Sequence, residues 1–194
     1  MALGSVDQFK ARLAGGGARP NLFQVNLNNP RGGLGVDIDA DLTSFMCEAT
    51  SLPASSIGTI PLSFRGRQLK LAGDRTFDAW TTQIINDVNF KLRNAFEEWT
   101  DLIAKLDNNL GATDPSAYMV NAKVYQLGRG SSPSSKSNTG TANAVLKEYE
   151  FIDIFPTTVA AIDLSYDSTD TIEEFTVDFQ VQSYNFAGAG GPNG

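Results

Sequence analysis

Glu174-Phe175-Thr176-Val177-Asp178-Phe179-Gln180-Val181-Gln182 alternates apolar and polar residues without interruption. Successive side chains of a strand point to opposite faces, so Phe175, Val177, Phe179 and Val181 form one apolar row. Glu174, Thr176, Asp178, Gln180 and Gln182 form a wet row behind it. That pattern fits a strand of an antiparallel sheet with one face on a core and the other in water. Working outward, similar runs predict strands over 20–28, 42–50, 76–88, 118–126, 145–154, 161–166 and 171–184, and a hairpin over 57–71. Arg65-Gly66-Arg67 supplies the hairpin turn, where glycine suits the backbone. One stretch changes period. Leu92, Phe96, Trp99, Ile103 and Leu106 recur at spacings of four, three, four and three, which is one stripe of a helix. Asn108, Asn109 and Gly111 end it. The expected fold is mainly β: an antiparallel β-sandwich or barrel with one flanking α-helix.

The ends read differently from the middle. Ser5 and Gln8 have capping-box spacing, with Val6, Phe9 and Leu13 at helical intervals. Three glycines, Gly15 to Gly17, follow this short helix. Residues 1–19 are therefore expected to be a flexible arm, 20–186 the folded domain and 187–194 a disordered tail of small residues. The stretches 29–35 and 128–140 are rich in Gly, Asn or Ser and read as loops.

Composition removes several function classes. The 194 residues contain no histidine, so Ser-His-Asp and Cys-His catalysis are absent from this chain, as is the commonest metal ligand. The single cysteine, Cys47, allows no intrachain disulfide and no cysteine zinc site, and its apolar neighbours Phe45 and Met46 predict a buried thiol. The formal charge of −7 argues against gripping nucleic acid through its phosphates. No GxxxxGK[ST] or GxGxxG loop occurs. No segment approaches the ~20 apolar residues of a membrane helix and no secretory signal is visible, so a soluble protein is expected. No cofactor or metal is expected.

The run Ala72-Gly73-Asp74-Arg75-Thr76-Phe77-Asp78-Ala79-Trp80-Thr81 is the densest motif. Gly73 suits a turn, Asp74 suits closing it, and Arg75 offers a planar fork for a carboxylate. Phe77 and Trp80 then fall on opposite faces of the strand that follows. The reading is a turn pinned by an ion pair, with nothing catalytic in it.

Two other groups are candidates. Glu174 and Asp178 lie four residues apart on a strand, about 13 Å between Cα atoms, too far for a general acid–base pair. On the residues alone they belong, together with Gln180 and Gln182, to a solvated sheet face. Gln24, Asn26 and Asn28 make a similar uncharged row. Arg65, Arg67 and Lys70 form the one compact basic cluster. It lacks interleaved aromatic rings and makes a poor nucleic-acid site. Carboxylates on an adjoining subunit, or plain solvation, are the readings left open.

Four separated stretches resemble the tail tube proteins of contractile-tailed bacteriophages. They are Ala18-Arg19-Pro20-Asn21-Leu22-Phe23-Gln24-Val25; Cys47-Glu48-Ala49-Thr50-Ser51-Leu52-Pro53-Ala54 followed by Ile60-Pro61; the 72–81 run continued by Phe96 and Trp99; and Lys147-Glu148-Tyr149-Glu150, then Phe155-Pro156-Thr157 and the closing strand. They occur in family order over roughly 18–184. The resemblance implies a fold shared with type VI secretion tube proteins, hexameric rings that stack into a hollow tube, and a structural role in the virion tail after assembly in the host cytoplasm. It implies as partners the protein itself, the sheath, baseplate and tail-terminator proteins, a tape-measure protein in the lumen, and genomic DNA in transit without specific binding. It implies that a polar face with Glu174, Asp178, Gln180 and Gln182 lines the lumen, and it implies no membrane insertion and no enzymatic activity. The tube of a toxin-injecting contractile system, or a baseplate or tube-initiator protein of the same fold, is the alternative. A carbohydrate-binding β-sandwich is the alternative from another class.

Overall fold

A computed structural model describes residues 6–12, 18–30, 38, 40–108, 110–128 and 145–188. The loop expected over 128–140 lies outside them except for Gly128, as do most of the 29–35 loop, the three glycines after the first helix and the last six residues of the tail.

In chain order the elements are α1 (Val6–Arg12), β1 (Phe23–Leu27), α2 (Ala40–Met46), β2 (Cys47–Thr50), β3 (Ser55–Phe64), β4 (Arg67–Phe77), β5 (Trp80–Ile85), α3 (Lys91–Ile103), α4 (Pro115–Tyr118), β6 (Val120–Leu127), β7 (Val145–Val159), β8 (Glu174–Gln180) and β9 (Ser183–Gly188). Seven strands make one sheet in the order β1-β6-β7-β8-β5-β2, with β9 also paired to β7. β3 and β4 make a separate two-stranded ribbon. The β2–β5, β5–β8, β7–β8 and β3–β4 pairings are antiparallel. The mainly β, antiparallel expectation holds.

The chain divides into two compact units. Residues 26–122 and 151–185 hold the aromatic core. On β8, Phe175, Val177 and Phe179 are buried, as the alternation requires. On α3, Leu92, Ala95, Phe96 and Trp99 are buried. The Phe96 ring meets Phe175 and Phe179 edge-on at 6.3 and 5.9 Å, so the helix stripe lies on the apolar row of the strand. Trp80 continues the cluster, 4.8 Å from Phe151 and 5.1 Å from Phe179. Burying rings of this size stabilises by about 1.5–3 kcal/mol each before entropy is counted. Arg93 fixes the helix to the chain beyond β7: it bonds Glu97, donates to the Ala160 carbonyl at 2.6 Å and lies 5.2 Å over the Phe175 ring.

The described residues within 6–25, 123–150 and 186–188 form the other unit. Lys123 pairs with Glu148 at 2.9 Å and Glu150 at 3.8 Å, and these carboxylates push its ammonium pKa up. Gln126 donates to the carbonyls of Arg19 and Leu22, both at 2.7 Å. Lys147 stands 4.9 Å from the Tyr149 ring and 4.7 Å from the Phe186 ring.

Several local expectations are corrected. Residues 40–46 are a helix, not the start of a strand over 42–50: Asp41 sits in its first turn, where a carboxylate favours the helix dipole, and Thr43 is buried. The strand expected over 76–88 is interrupted. β4 ends at Phe77, the Asp78 N–H donates to Ala54, and β5 begins at Trp80 in a different sheet. Leu106 is not on the helix stripe; α3 ends at Ile103, and the Leu106 N–H is taken by the Asp101 carboxylate. β7 runs through Pro156, whose missing N–H is accommodated at a register shift between Pro156 and Thr158. No strand forms over 161–166: Leu164 and Tyr166 are fully in solvent, and the Ser165 hydroxyl accepts from the Asp167 N–H. α4 escaped the sequence reading although Asp114-Pro115 carries its signal, a side-chain cap followed by proline at the first turn.

Candidate assembly surfaces

The polar face of the sheet is built by pairing. β5 and β8 run antiparallel with Trp80 opposite Phe179, Thr81 opposite Asp178, Gln83 opposite Thr176 and Ile85 opposite Glu174. Trp80, Thr82 and Ile84 therefore share the core face with Phe175, Val177 and Phe179. Thr81, Gln83, Glu174, Thr176 and Asp178 share the other. The Thr81 hydroxyl donates to Asp178 Oδ1 at 2.7 Å, and Gln83 Nε2 donates to Glu174. Glu48 joins this face from β2, where the register shifts between Cys47 and Ala49. Hydrogen bonding to Glu174 and repulsion from its carboxylate raise the Glu48 pKa. Gln180 ends β8, half-buried, and Gln182 lies exposed beyond it, between β8 and β9. Glu174, Asp178 and Gln180 are thus on one strand, and Gln182 is not.

The ribbon is exposed along nearly its whole length. Arg65 and Gly66 have φ of 45° and 82°, the two left-handed positions of a tight hairpin turn. Ile60 pairs with Leu71, Leu62 with Leu69 and Phe64 with Arg67, so these share one face. Pro61, Lys70, Ser63 and Gln68 share the reverse face. Ile60, Leu62, Phe64, Leu69 and Leu71 are all exposed. The Arg65 guanidinium covers the Phe64 ring at 5.3 Å. The basic cluster is therefore split, with Arg67 on the apolar face and Lys70 behind it.

The 72–81 run is placed differently from its reading as a turn. Gly73 and Asp74 lie inside β4, opposite a register shift between Ile57 and Thr59. A Cβ on Gly73 would stand 3.1 Å from the Gly58 carbonyl oxygen, so glycine serves close approach of two backbones here. Asp74 and Arg75 are strand neighbours on opposite faces and make no ion pair; Arg75 reaches Ser55 Oγ at 3.4 Å instead. Phe77 packs edge-on against Tyr184 at 5.3 Å, and Tyr184 against Phe151 at 6.0 Å, which links the ribbon's base to Trp80 through rings.

The segment from Ala160 to Glu173 runs outside the strands as exposed chain before β8 begins at Glu174. It carries Asp163, Asp167, Asp170 and Glu173 with no Lys or Arg, and it exposes Leu164, Tyr166 and Ile172. Its alternation resembled a strand, and only the missing partner strand reveals otherwise. Among the described residues, no cluster of three metal-ligating side chains occurs, and no helix is long and apolar enough to cross a membrane. Cys47 is buried, and burial pushes its thiol up to about 12.

The chain thus combines an antiparallel sheet, an aromatic core under one helix, a polar reverse face and an exposed ribbon. A family profile described as phage tail tube protein matches residues 18–187. The tail tube protein gp19 of Enterobacteria phage T4 is 35% identical over 171 residues, covering 88% of this chain and 93% of that protein. The tail tube protein of Serratia phage KSP90 is 23% identical over 180 residues, covering 92% and 94%. Among solved structures, the sheath–tube complex of an extracellular contractile injection system in its extended state has a chain with a TM-score of 0.59 at 13% identity, covering 92% of this chain and 97% of that one. The cap that terminates the anti-feeding prophage tube has one at 0.59 and 13%, covering 89% and 91%. The chain belongs to the phage tail tube protein family, and its place is the virion tail.

Proposed function

We propose that this protein is the non-enzymatic subunit of the inner tube of a contractile phage tail. In this reading six copies close into a ring, rings stack into a hollow conduit, and DNA passes through it into the host. The observation that carries the reading is the two-faced sheet. Its aromatic face is sealed by α3, while its polar face gathers Glu48, Glu174 and Asp178. The strand order ends at β1 and β2, and edge strands invite pairing with another chain. Pairing β1 of one copy with β2 of the next would continue the sheet around a ring, with the polar face as its lumen. Six chains of −7 bring about −42 charges, and an acidic wall repels phosphates. Relatives of the same fold stand in sheath–tube, baseplate and cap assemblies, which supports sheath, baseplate and terminator proteins as partners here. A tape-measure protein in the lumen completes the proposal. Negative-stain microscopy of concentrated protein tests it. Rings or tubes are the expected result. Strict monomer at high concentration, with tail-assembly partners added, overturns it.

A further inference from the structure

We infer that the cavity between the end of β1, α4, the start of β6 and the middle of β7 is a calcium site, with the Asp153 carboxylate as its one charged ligand. The inference is independent of the tube reading, because every lining residue belongs to one copy and to the unit that holds the aromatic core.

The backbone of β7 is built to aim Asp153. Phe151 and Ile154 are both fully buried, although strict alternation puts residues three apart on opposite faces. The residue that resets the phase is Asp153, which takes left-handed backbone at φ 53°. Its N–H is held by Asn121 Oδ1 at 3.2 Å, and its side chain is turned out to line the cavity. Glycine relaxes such a position, whereas any other residue is strained there. An aspartate in this place keeps a carboxylate at the expense of backbone comfort.

The cavity has a volume of about 320 Å³. It is not a cluster of carboxylate, imidazole or thiol groups. Around Asp153 stand neutral oxygens: the amide carbonyls of Asn28, Asn29 and Asn121 and the hydroxyl of Ser116, with no Lys or Arg in the lining. Asn29 Oδ1 accepts from the Ile38 N–H at 2.6 Å and Asn121 Oδ1 from the Asp153 N–H, which fixes both amides. Each of these oxygens keeps a second lone pair. The Ser116 hydroxyl donates to Asp114 Oδ2 at 2.8 Å, so its own oxygen remains an acceptor. The bonds from Ser116 also hold the Asp114 carboxyl below its ordinary range, which sets a second negative charge behind the hydroxyl.

A set of oxygens alone, one charged and the rest neutral, suits calcium. Calcium takes about six to eight oxygens in flexible geometry from carboxylates, amide carbonyls and water, whereas magnesium demands a tight octahedron. Zinc sites are built largely on thiolates and imidazoles. At about 30 Å³ per water, the cavity admits the ion together with the waters that complete its shell. One carboxylate sets a weak affinity, roughly 10⁻⁴–10⁻³ M. A bound ion ties four elements together at their junction.

Calorimetric titration of the full-length protein with calcium chloride, and melting with calcium or with chelator, test this. The expected result is one saturable site and a melting temperature raised by about 3–6 °C at ten times the dissociation constant. Asp153→Asn and Asp153→Gly are both expected to lose the calcium shift, and Asp153→Gly is expected to melt no lower than wild type in chelator, since glycine relaxes the backbone. Asp167→Asn, on exposed chain away from the cavity, is expected to keep the shift. An equal rise with magnesium, or with sodium chloride at matched ionic strength, overturns the inference. A calcium shift that survives in Asp153→Gly places the ion elsewhere and also overturns it. A second readout needs no variant. Tyr118 precedes the lining residue Met119, and the Trp99 indole N–H donates to the Tyr118 carbonyl at 2.8 Å, so two rings stand ready to excite bound terbium. Sensitised terbium emission that calcium displaces is expected from the wild type. Its absence overturns the site.

Discussion

The Trp80 indole N–H donates to the Thr50 hydroxyl at 2.8 Å, joining β5 to the edge strand β2 beneath the aromatic cluster. Trp80 is fully buried, so this donor has no access to bulk water. Thr50→Val keeps the shape and removes the acceptor. An unsatisfied buried donor costs about 1–3 kcal/mol. At about 2–4 °C per kcal/mol for a chain of this size, the melting temperature is expected to fall by roughly 2–12 °C. Thr50→Ser is expected to retain most of the wild-type value, and equal melting of Thr50→Val and wild type would show that the bond contributes nothing.

Gly58 and Gly73 make a second pairwise constraint. Their backbones approach where the ribbon's register shifts, and a Cβ at Gly73 meets the Gly58 carbonyl. Gly73→Val is expected to loosen the ribbon while leaving the sheet intact. Faster hydrogen exchange confined to residues 55–77, with a nearly unchanged melting temperature, is the predicted pattern.

Asp74→Ala and Arg75→Ala provide a contrast. A buried ion pair would cost about 3–5 kcal/mol when broken, but these two side chains are exposed on opposite faces. Each substitution is expected to change stability by no more than about 0.5 kcal/mol. A melting-temperature drop above about 5 °C in either variant contradicts this placement.

The residues most legible in sequence were those whose period decides their burial. Phe175, Val177 and Phe179 alternate, and Leu92, Phe96 and Trp99 keep helical spacing; both rows are buried as read. The Arg65-Gly66 turn was legible because a two-residue hairpin needs left-handed backbone. What failed was everything set by a distant partner. Residues 40–46 and 161–166 have short apolar patterns that fit two structures, and tertiary pairing decides between them. Gly73 fits a turn in local sequence, because its reason for being glycine, the Gly58 backbone, lies fifteen residues away. Glu48 joins Glu174 only through a third strand, so no local pattern links them.

That Glu48–Glu174 contact makes stability depend on pH. The raised Glu48 pKa means the folded state disfavours its ionised form. The penalty is absent below the ordinary value of 4.5 and develops as pH rises through the interval from there to the folded pKa. Glu48→Gln is therefore expected to be more stable than wild type at pH 7 and to lose that advantage by pH 3.5. Melting curves at the two pH values check the sign, and an advantage that grows on acidification would reverse it.

The last prediction concerns DNA in the channel. In the proposed tube, Glu174 and Asp178 face the lumen, because they stand opposite the buried row of β8. Neither side chain is core, and their bonds to Gln83 and Thr81 are peripheral. Glu174→Lys with Asp178→Lys is thus expected to leave tubes assembled while changing each subunit by four charges. A Lys at 174 would pair with Glu48 and be partly neutralised, so Glu48→Gln is added to expose it. Phosphates would then meet cations on every ring, and such contacts weaken steeply with salt. DNA ejection is expected to slow markedly at low ionic strength and to recover in high salt, where the screening length falls to about 3 Å. Ejection of triple-variant tubes at the wild-type rate in low salt would place these residues away from the DNA path.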